Sequence, residues 1–281
     1  MNKKLTKAAA YEMVKNDYTM MYRPMPEDFK VLFPVITIQV LEKMGFHCTT
    51  NHTGKMIGMN SISTSCKCNE HCKKRIEKAF SDLGIDLTEK KNARDQIKKY
   101  LEKNPLAENI CICAFCFSDA QQDFQKSMQL PLFRNYEILN NGIIHSDWLP
   151  VLNSLYFRGE SFGDFASANA AANIMNMARK NPAVHFTTWT KNPVYFSSAI
   201  KAGYSKPENF KIIFSSAYIN RVSKIPESYK NIIDAVFTVY TEVYAEKHNI
   251  KINCGARACL SCLRCYTNYD NTVKYMNELL K

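Results

Sequence analysis

Residues 184–215, VHFTTWTKNPVYFSSAIKAGYSKPENFKIIFS, decide the fold. Val184 to Trp189 reads as a strand, Pro193 to Ala202 as a helix, and Phe210 to Ser215 as an apolar strand. A strand, a helix of this size and a second strand form a crossover unit with its strands parallel. The alternation extends both ways. Upstream lie the strand-like VLNSLYFR of residues 151–158 and an alanine-rich helix from Phe165 to Lys180. Downstream come a short helix over 227–233, a strand from Ala235 to Tyr240, a helix from Glu242 to His248 and a strand from Ile250 to Asn253. With MIGMNSIST, residues 56–64, as the first strand, the chain has about six strands. The expectation is an α/β protein, a partial TIM-like (β/α)6 parallel barrel, with a doubly wound sheet as the other arrangement of such units. No glycine-rich dinucleotide fingerprint or phosphate loop occurs, which weakens a Rossmann or nucleotide-hydrolase reading.

The core is expected over residues 55–253. The densely charged stretch from Lys73 to Lys103 has helical period, with Lys90, Arg94 and Lys98 on one face and Leu87, Ile97 and Leu101 on the other. It reads as an insertion between the first two cysteine groups; Gln121 to Leu139 also reads as helical. Residues 1–54 form an N-terminal extension, with a helix from Leu5 to Asn16 and a mixed apolar stretch from Phe29 that ends at Gly45. Residues 254–281 hold a cysteine cluster and a tail.

Of the 281 residues, 46% are hydrophobic and 22% charged, which excludes a disordered or collagen-like chain. No apolar run approaches the roughly 18–20 residues that span a bilayer, and no export signal follows Met1, so the expected setting is cytoplasmic, without membrane. Lys and Arg number 37 against 26 Asp and Glu, a net charge of +11. Such a balance favours contact with phosphate and leaves nucleic acid open as a partner; a solvated lysine-rich surface explains it equally well.

Eleven cysteines carry more information. In a reducing compartment they are thiols or metal ligands rather than disulfides. Cys48 stands alone and reads as a small buried hydrophobe. The others fall into three groups: Cys66, Cys68 and Cys72; Cys111, Cys113 and Cys116; and Cys254, Cys259, Cys262 and Cys265. The last group contains a C-x2-C-x2-C run, whose short spacers wrap thiolates around one compact iron–sulfur cubane. Zinc is the alternative metal, although zinc ribbons more often use two separated knuckles. Cys68, Cys72 and Cys111, with His71, either complete a further metal site or are spare thiols.

In the middle group, Cys113-Ala-Phe115-Cys116 resembles the second half of the radical SAM motif, in which three thiolates hold a four-iron cluster with one iron open to S-adenosylmethionine. The chain departs from that motif, because Asn109 stands where its first cysteine belongs. Either Cys111 or Cys66 takes that place, and Cys66 is favoured because it follows the expected first strand. The resemblance implies that Gly159-Glu160, at a strand end, binds the amino group of S-adenosylmethionine, and that Ser215 and Ser216 meet its ribose. Read without it, each pair is a turn after a strand. In a barrel these positions share one mouth at the carboxyl ends of the strands.

The layout also resembles the phage gene product 88 family over roughly residues 55–268. The matching elements are Ser61-Ile-Ser63 before a cysteine, the C-x2-C followed by an aromatic, Phe157-Arg158 leading to Gly163-Asp164-Phe165, Thr190-Lys191 after a strand, and the terminal cysteines. Phe117-Ser118 stands where the family commonly shows Tyr-Ala, and the cysteines at 68, 72 and 111 are extra. Asp164 is a candidate acid/base or supporting carboxylate, although capping of a helix beginning at Phe165 is the simpler reading. Arg158 reads as the ion partner of Glu160, and Trp189 and Lys191 as lining the mouth or, for Trp189, the core.

The leading expectation is a radical SAM-type iron–sulfur enzyme with one or two 4Fe-4S clusters. It takes S-adenosylmethionine, an unknown substrate and a reductant protein, and acts in the host cytoplasm if phage-encoded. The alternatives are a non-catalytic protein, stabilised by zinc or iron–sulfur, that binds nucleic acid, and an electron carrier.

Overall fold

The computed structural model describes residues 46–52, 54–85, 90–125, 128–255, 257–266 and 274–280. The helices expected at Leu5–Asn16 and Phe29–Gly45, and Leu87, lie outside the described residues. In chain order the elements are β1 (Cys48–Thr50), β2 (Asn60–Ile62), α1 (Glu70–Ser81), α2 (Lys90–Lys103), α3 (Phe117–Phe124), α4 (Gln129–Asn140), β3 (Tyr156–Gly159) and α5 (Ala168–Lys180). There follow β4 (His185–Thr190), α6 (Val194–Lys201), β5 (Phe210–Ser215), β6 (Ala235–Tyr240), α7 (Glu242–Lys247), α8 (Cys259–Cys262) and β7 (Lys274–Leu279).

The described strands form one seven-stranded sheet in sequential order. β1 runs antiparallel to β2, and every later pairing is parallel. The α/β class and the parallel crossovers therefore stand, in a sheet that is not closed.

A row of phenylalanines holds its centre. Phe157, Phe186 and Phe210 occupy matching register positions on β3, β4 and β5 and are fully buried. Their rings lie 5.2 and 6.4 Å apart, and Phe196 of α6 joins Phe210 at 5.9 Å. Alanines 170, 171, 172 and 178 of α5 are buried beside this row; side chains this small let a helix sit close to a sheet. Asparagine side chains bind the crossovers. Asn209 Nδ2 donates to the carbonyls of Ala178, Asn181 and Val184 at 2.8–3.0 Å, tying the end of α5 to β4 and β5. The opposite face carries Arg158, Trp189 and Ile213, with Cys265 and Met276 packed there.

Several expectations need correction. The insertion is two helices, α1 and α2, with a small core of their own around Ile76, Phe80, Ile97 and Leu101. The single helix expected from Gln121 to Leu139 is α3 followed by α4. Ile250–Asn253 is not a strand; the last parallel strand is β7, from the segment set apart as a tail, paired with β6 along six residues. The helix expected from Phe165 begins at Ala168, and its cap is Ser167, whose Oγ accepts from Ala170 N at 3.1 Å. Cys48 is exposed on the edge strand β1 rather than buried. No helix among the described residues is long and apolar enough to cross a membrane.

Removing the middle ring of the row leaves a cavity that packed neighbours cannot fill. Phe186→Ala is expected to cost about 3–5 kcal/mol in guanidinium denaturation. Phe124→Ala, on a residue 85% exposed, is expected to stay within about 0.5 kcal/mol. Equal losses would contradict the placement of the core.

Candidate functional site

The carboxyl ends of β2, β3 and β4 meet the insertion helices, and the first two cysteine groups come together there. After β2 the chain runs through buried Ser63, Thr64 and Ser65 to buried Cys66. Gln122 of α3 fixes this turn: its Nε2 donates to Cys66 Sγ at 3.0 Å, and its Oε1 accepts from Ser65 Oγ at 2.8 Å. Asn69 caps α1, accepting from His71 N and Cys72 N, so His71 and Cys72 sit in the first turn. Cys113 lies in a short 3-10 turn, Ile112–Phe115, and Cys116 stands at the junction with α3.

The thiols engage one another in pairs. Cys66 donates to Cys116, which with burial pushes the Cys66 thiol far up and holds Cys116 below its ordinary value. Cys111 does the same for Cys113, whose pKa falls to about 6 despite burial. Cys72 feels the charges of Asp164, Cys116 and Cys113, although burial is the main cause of its rise. Burial opposes the charge on Lys191, but Cys113, Asp164, Cys116 and Cys72 together hold its pKa above the ordinary value. Cys68 stands apart: burial and then Glu137 raise its thiol, against Ser65 and Lys73, and no cysteine is among the causes.

Asp164 does not cap a helix. Its carboxylate accepts from Thr190 Oγ1 at 2.6 Å, from Lys191 N at 2.8 Å and from Phe165 N at 2.8 Å. Its carbonyl accepts from Asn69 Nδ2 at 2.6 Å, which ties α1 to the same point. Glu160, just after β3, is 3% exposed and has φ of 54°, in the left-handed region. Such a conformation strains a residue with a side chain and is found preferentially at functional sites. Its Oε2 accepts from Thr64 Oγ1 at 2.8 Å and Thr64 N at 3.2 Å. Gly163 makes this approach feasible, since a Cβ there would meet the Thr64 carbonyl oxygen at 2.8 Å.

Arg158 is not the ion partner of Glu160. It stacks 3.9 Å over the Trp189 ring on the opposite face of the sheet. Ser216 turns toward β6, its Oγ sharing a 2.7 Å hydrogen bond with Thr238 Oγ1 and accepting from Ser223 N. Ser215 is buried at the end of β5, and Gly159 ends β3 beside Ile174 and Thr188.

The terminal cysteines gather on the second face. Cys254, Cys259 and Cys265 each feel the charges of other members of the group, Cys262 among them, and burial pushes Cys265 up to about 12. Cys265 Sγ is 3.3 Å from Met276 Sδ, and Thr187 Oγ1 donates to the Cys265 carbonyl. Among the described residues, no group of three or more His, Cys, Asp or Glu side chains is arranged to hold a metal ion.

Sequence reasoning missed Asn69 and Gln122. Asn69 has a readable signal, a capping residue directly before a charged helical run. Gln122 has none, since only the fold turns it toward Cys66.

An open, mostly parallel α/β sheet with thiols gathered at its strand ends defines the class of protein. The model of one family, Gene product 88, matches residues 50–274. The chain belongs to this phage gene product 88 family. No curated protein and no solved structure matches it.

Burial raises the Glu160 carboxyl to about 8, from an ordinary value of 4.5, against the Thr64 hydrogen bonds and with help from Asp164. Between those values the folded chain keeps a proton that the unfolded chain has lost, so this group's contribution is full below pH 4.5 and is lost as pH rises to about 8. In metal-free protein, stability relative to Glu160→Gln is expected to fall across that window, by at most about 1.4 kcal/mol per pH unit. Parallel pH profiles in denaturant titrations would contradict this.

Proposed function

We propose that the protein is an iron–sulfur enzyme of radical SAM type, built on a partial parallel barrel, that modifies a substrate of unidentified class. The observation that carries this reading is the meeting of Cys66 with Cys116 across the whole helical insertion, with Cys113 and Cys72 in the same group, at the carboxyl ends of parallel strands. Cys66 pairs with Cys116 and Cys111 with Cys113; we take Cys66 as the third ligand because it follows β2 at a strand end and also feels Cys72.

The donor chemistry fits a cluster: clustered thiols, one already lowered to about 6 beside the cationic Lys191 and Arg75, are the ligands that iron–sulfur clusters use. The barrel reading draws support from a curl in the sheet. Lys55, before β2, pairs with Glu278 of β7 at 2.6 Å, and Gly58 packs under Leu260 of α8.

Cys66, Cys113 and Cys116 would hold the cluster, which when bound and reduced by the reductant protein would supply the one electron needed to cleave S-adenosylmethionine to methionine and a 5′-deoxyadenosyl radical. The chain's own residues bind and orient. Glu160 Oε1 and the Lys191 ammonium have no hydrogen-bond or ion-pair partner among the described residues. The Lys191 ammonium suits the carboxylate of an amino-acid group, and that group's own ammonium, seated beside Glu160, would draw off the proton that burial leaves there and pair with the carboxylate. Asp164 positions Lys191 through its backbone N–H. A second reading, nucleic-acid contact by a metal-supported fold, rests on the exposed Lys74, Lys98, Lys99 and Lys103 of α1 and α2.

Anaerobically reconstituted, reduced full-length protein is expected to bind S-adenosylmethionine and slowly release 5′-deoxyadenosine. Cys116→Ala and Cys66→Ala abolish release, Cys111→Ala retains it, and Glu160→Ala weakens binding. Fully reconstituted protein that neither binds nor cleaves would overturn the proposal and leave the nucleic-acid reading ahead.

A further inference from the structure

Arg158 projects from β3 on the face opposite the phenylalanine row, toward the terminal cysteines. Its guanidinium stacks on Trp189 at 3.9 Å, and Nη1 lies 2.9 Å from Met56 Sδ. Its Nε is buried without a hydrogen-bond partner, and no carboxylate pairs with it among the described residues. Arginine does not give up its proton, so this is a permanent charge held in the fold. A partly buried cation with no anion is costly unless something nearby supplies one.

The terminal cysteines lie on this side: Cys265 packs with Trp189 against Ile213 and Met276, and Gly58, two residues past Met56, lies under Leu260, between Cys259 and Cys262 in the chain. Lys55 pairs with Glu278, whose Oε2 lies 3.9 Å from Cys254 Sγ, so these two charges offset each other there and Arg158 is the cation left over. The seat around these thiols is closely built. A Cβ on Gly58 would meet Leu260 at 2.7 Å, and one on Gly255, at φ +94°, would meet Glu278 at 3.0 Å. The Thr187 hydroxyl fixes the Cys265 carbonyl, and Met276 backs its sulfur. A cation without an anion and tight packing therefore border the terminal cysteines. Four thiolates around a divalent ion leave two negative charges uncompensated, and an iron–sulfur cubane with four thiolates is likewise anionic.

We infer that Arg158 is the built-in counter-charge of a metal–thiolate centre formed by Cys254, Cys259, Cys262 and Cys265, held in place by Trp189. It is a positioning residue, acting on the metal through the thiolates. The inference rests on metal binding by the terminal cysteines and is independent of S-adenosylmethionine chemistry at the strand ends.

The test is retention of metal by the full-length, metal-loaded protein in a chelator titration, with Cys262→Ala marking the share held by the terminal group. Arg158→Met is expected to weaken that share about 10–100-fold, while Arg158→Lys, which keeps the charge, recovers most of it. If the metal is iron, the potential of this centre also moves negative in Arg158→Met, because a charge favouring the reduced state is gone; a purely structural role would not move it. Arg158→Gln replaces Arg158→Met if the latter does not fold. Equal retention by the neutral variant and the parent, or metal content unchanged in Cys262→Ala, overturns the inference. Failure to cleave S-adenosylmethionine defeats the strand-end reading alone, since the chelator titration reads only bound metal.

Discussion

The Asp164 carboxylate is the interaction on which the strand-end site depends. It accepts from the loop after β3 and from the end of β4, while its carbonyl takes the cap residue of α1. One residue therefore fixes where Lys191 leaves β4 and where α1 presents His71 and Cys72. Removing the carboxylate would leave its donors unsatisfied in a buried setting, at about 1–3 kcal/mol each. Gln122 plays the matching part for Cys66. The thiols meet because side-chain amides and a carboxylate hold the turns that carry them.

The sheet separates two chemistries. One face is a phenylalanine row under α5 and α6, which gives the molecule its main core. The other carries Arg158, Trp189 and the terminal cysteines, stitched to the segment before β2 by Lys55 and Glu278. Glu160 and Arg158, two positions apart in sequence, serve opposite sides. Their separation follows from β3 ending at Gly159 and the chain turning through a left-handed residue.

Sequence reading reached the strands whose burial is deepest. β5 and β6 coincide with their expected limits, because strands covered on both faces are nearly continuous apolar runs. β7 escaped because KYMNEL mixes charge with helix-forming residues; its membership comes from pairing along β6, not from its own pattern. The break between α1 and α2 was hidden by continuous charge, and β1 by its exposure. Among site residues, the cysteine groups were visible from spacing alone. The roles of Asp164 and Arg158 were not, since each depends on which side of the sheet a neighbouring loop falls.

The central claim is that Cys66 joins Cys113 and Cys116 in holding a cluster at the strand ends. Iron and acid-labile sulfide analysis of anaerobically purified full-length protein, parent against Cys66→Ala, tests it most directly. The account predicts matched iron and sulfide in the parent and loss of one cluster's worth of both in the variant, with the terminal centre retained. Zinc without sulfide, or the same iron and sulfide in both proteins, would contradict it.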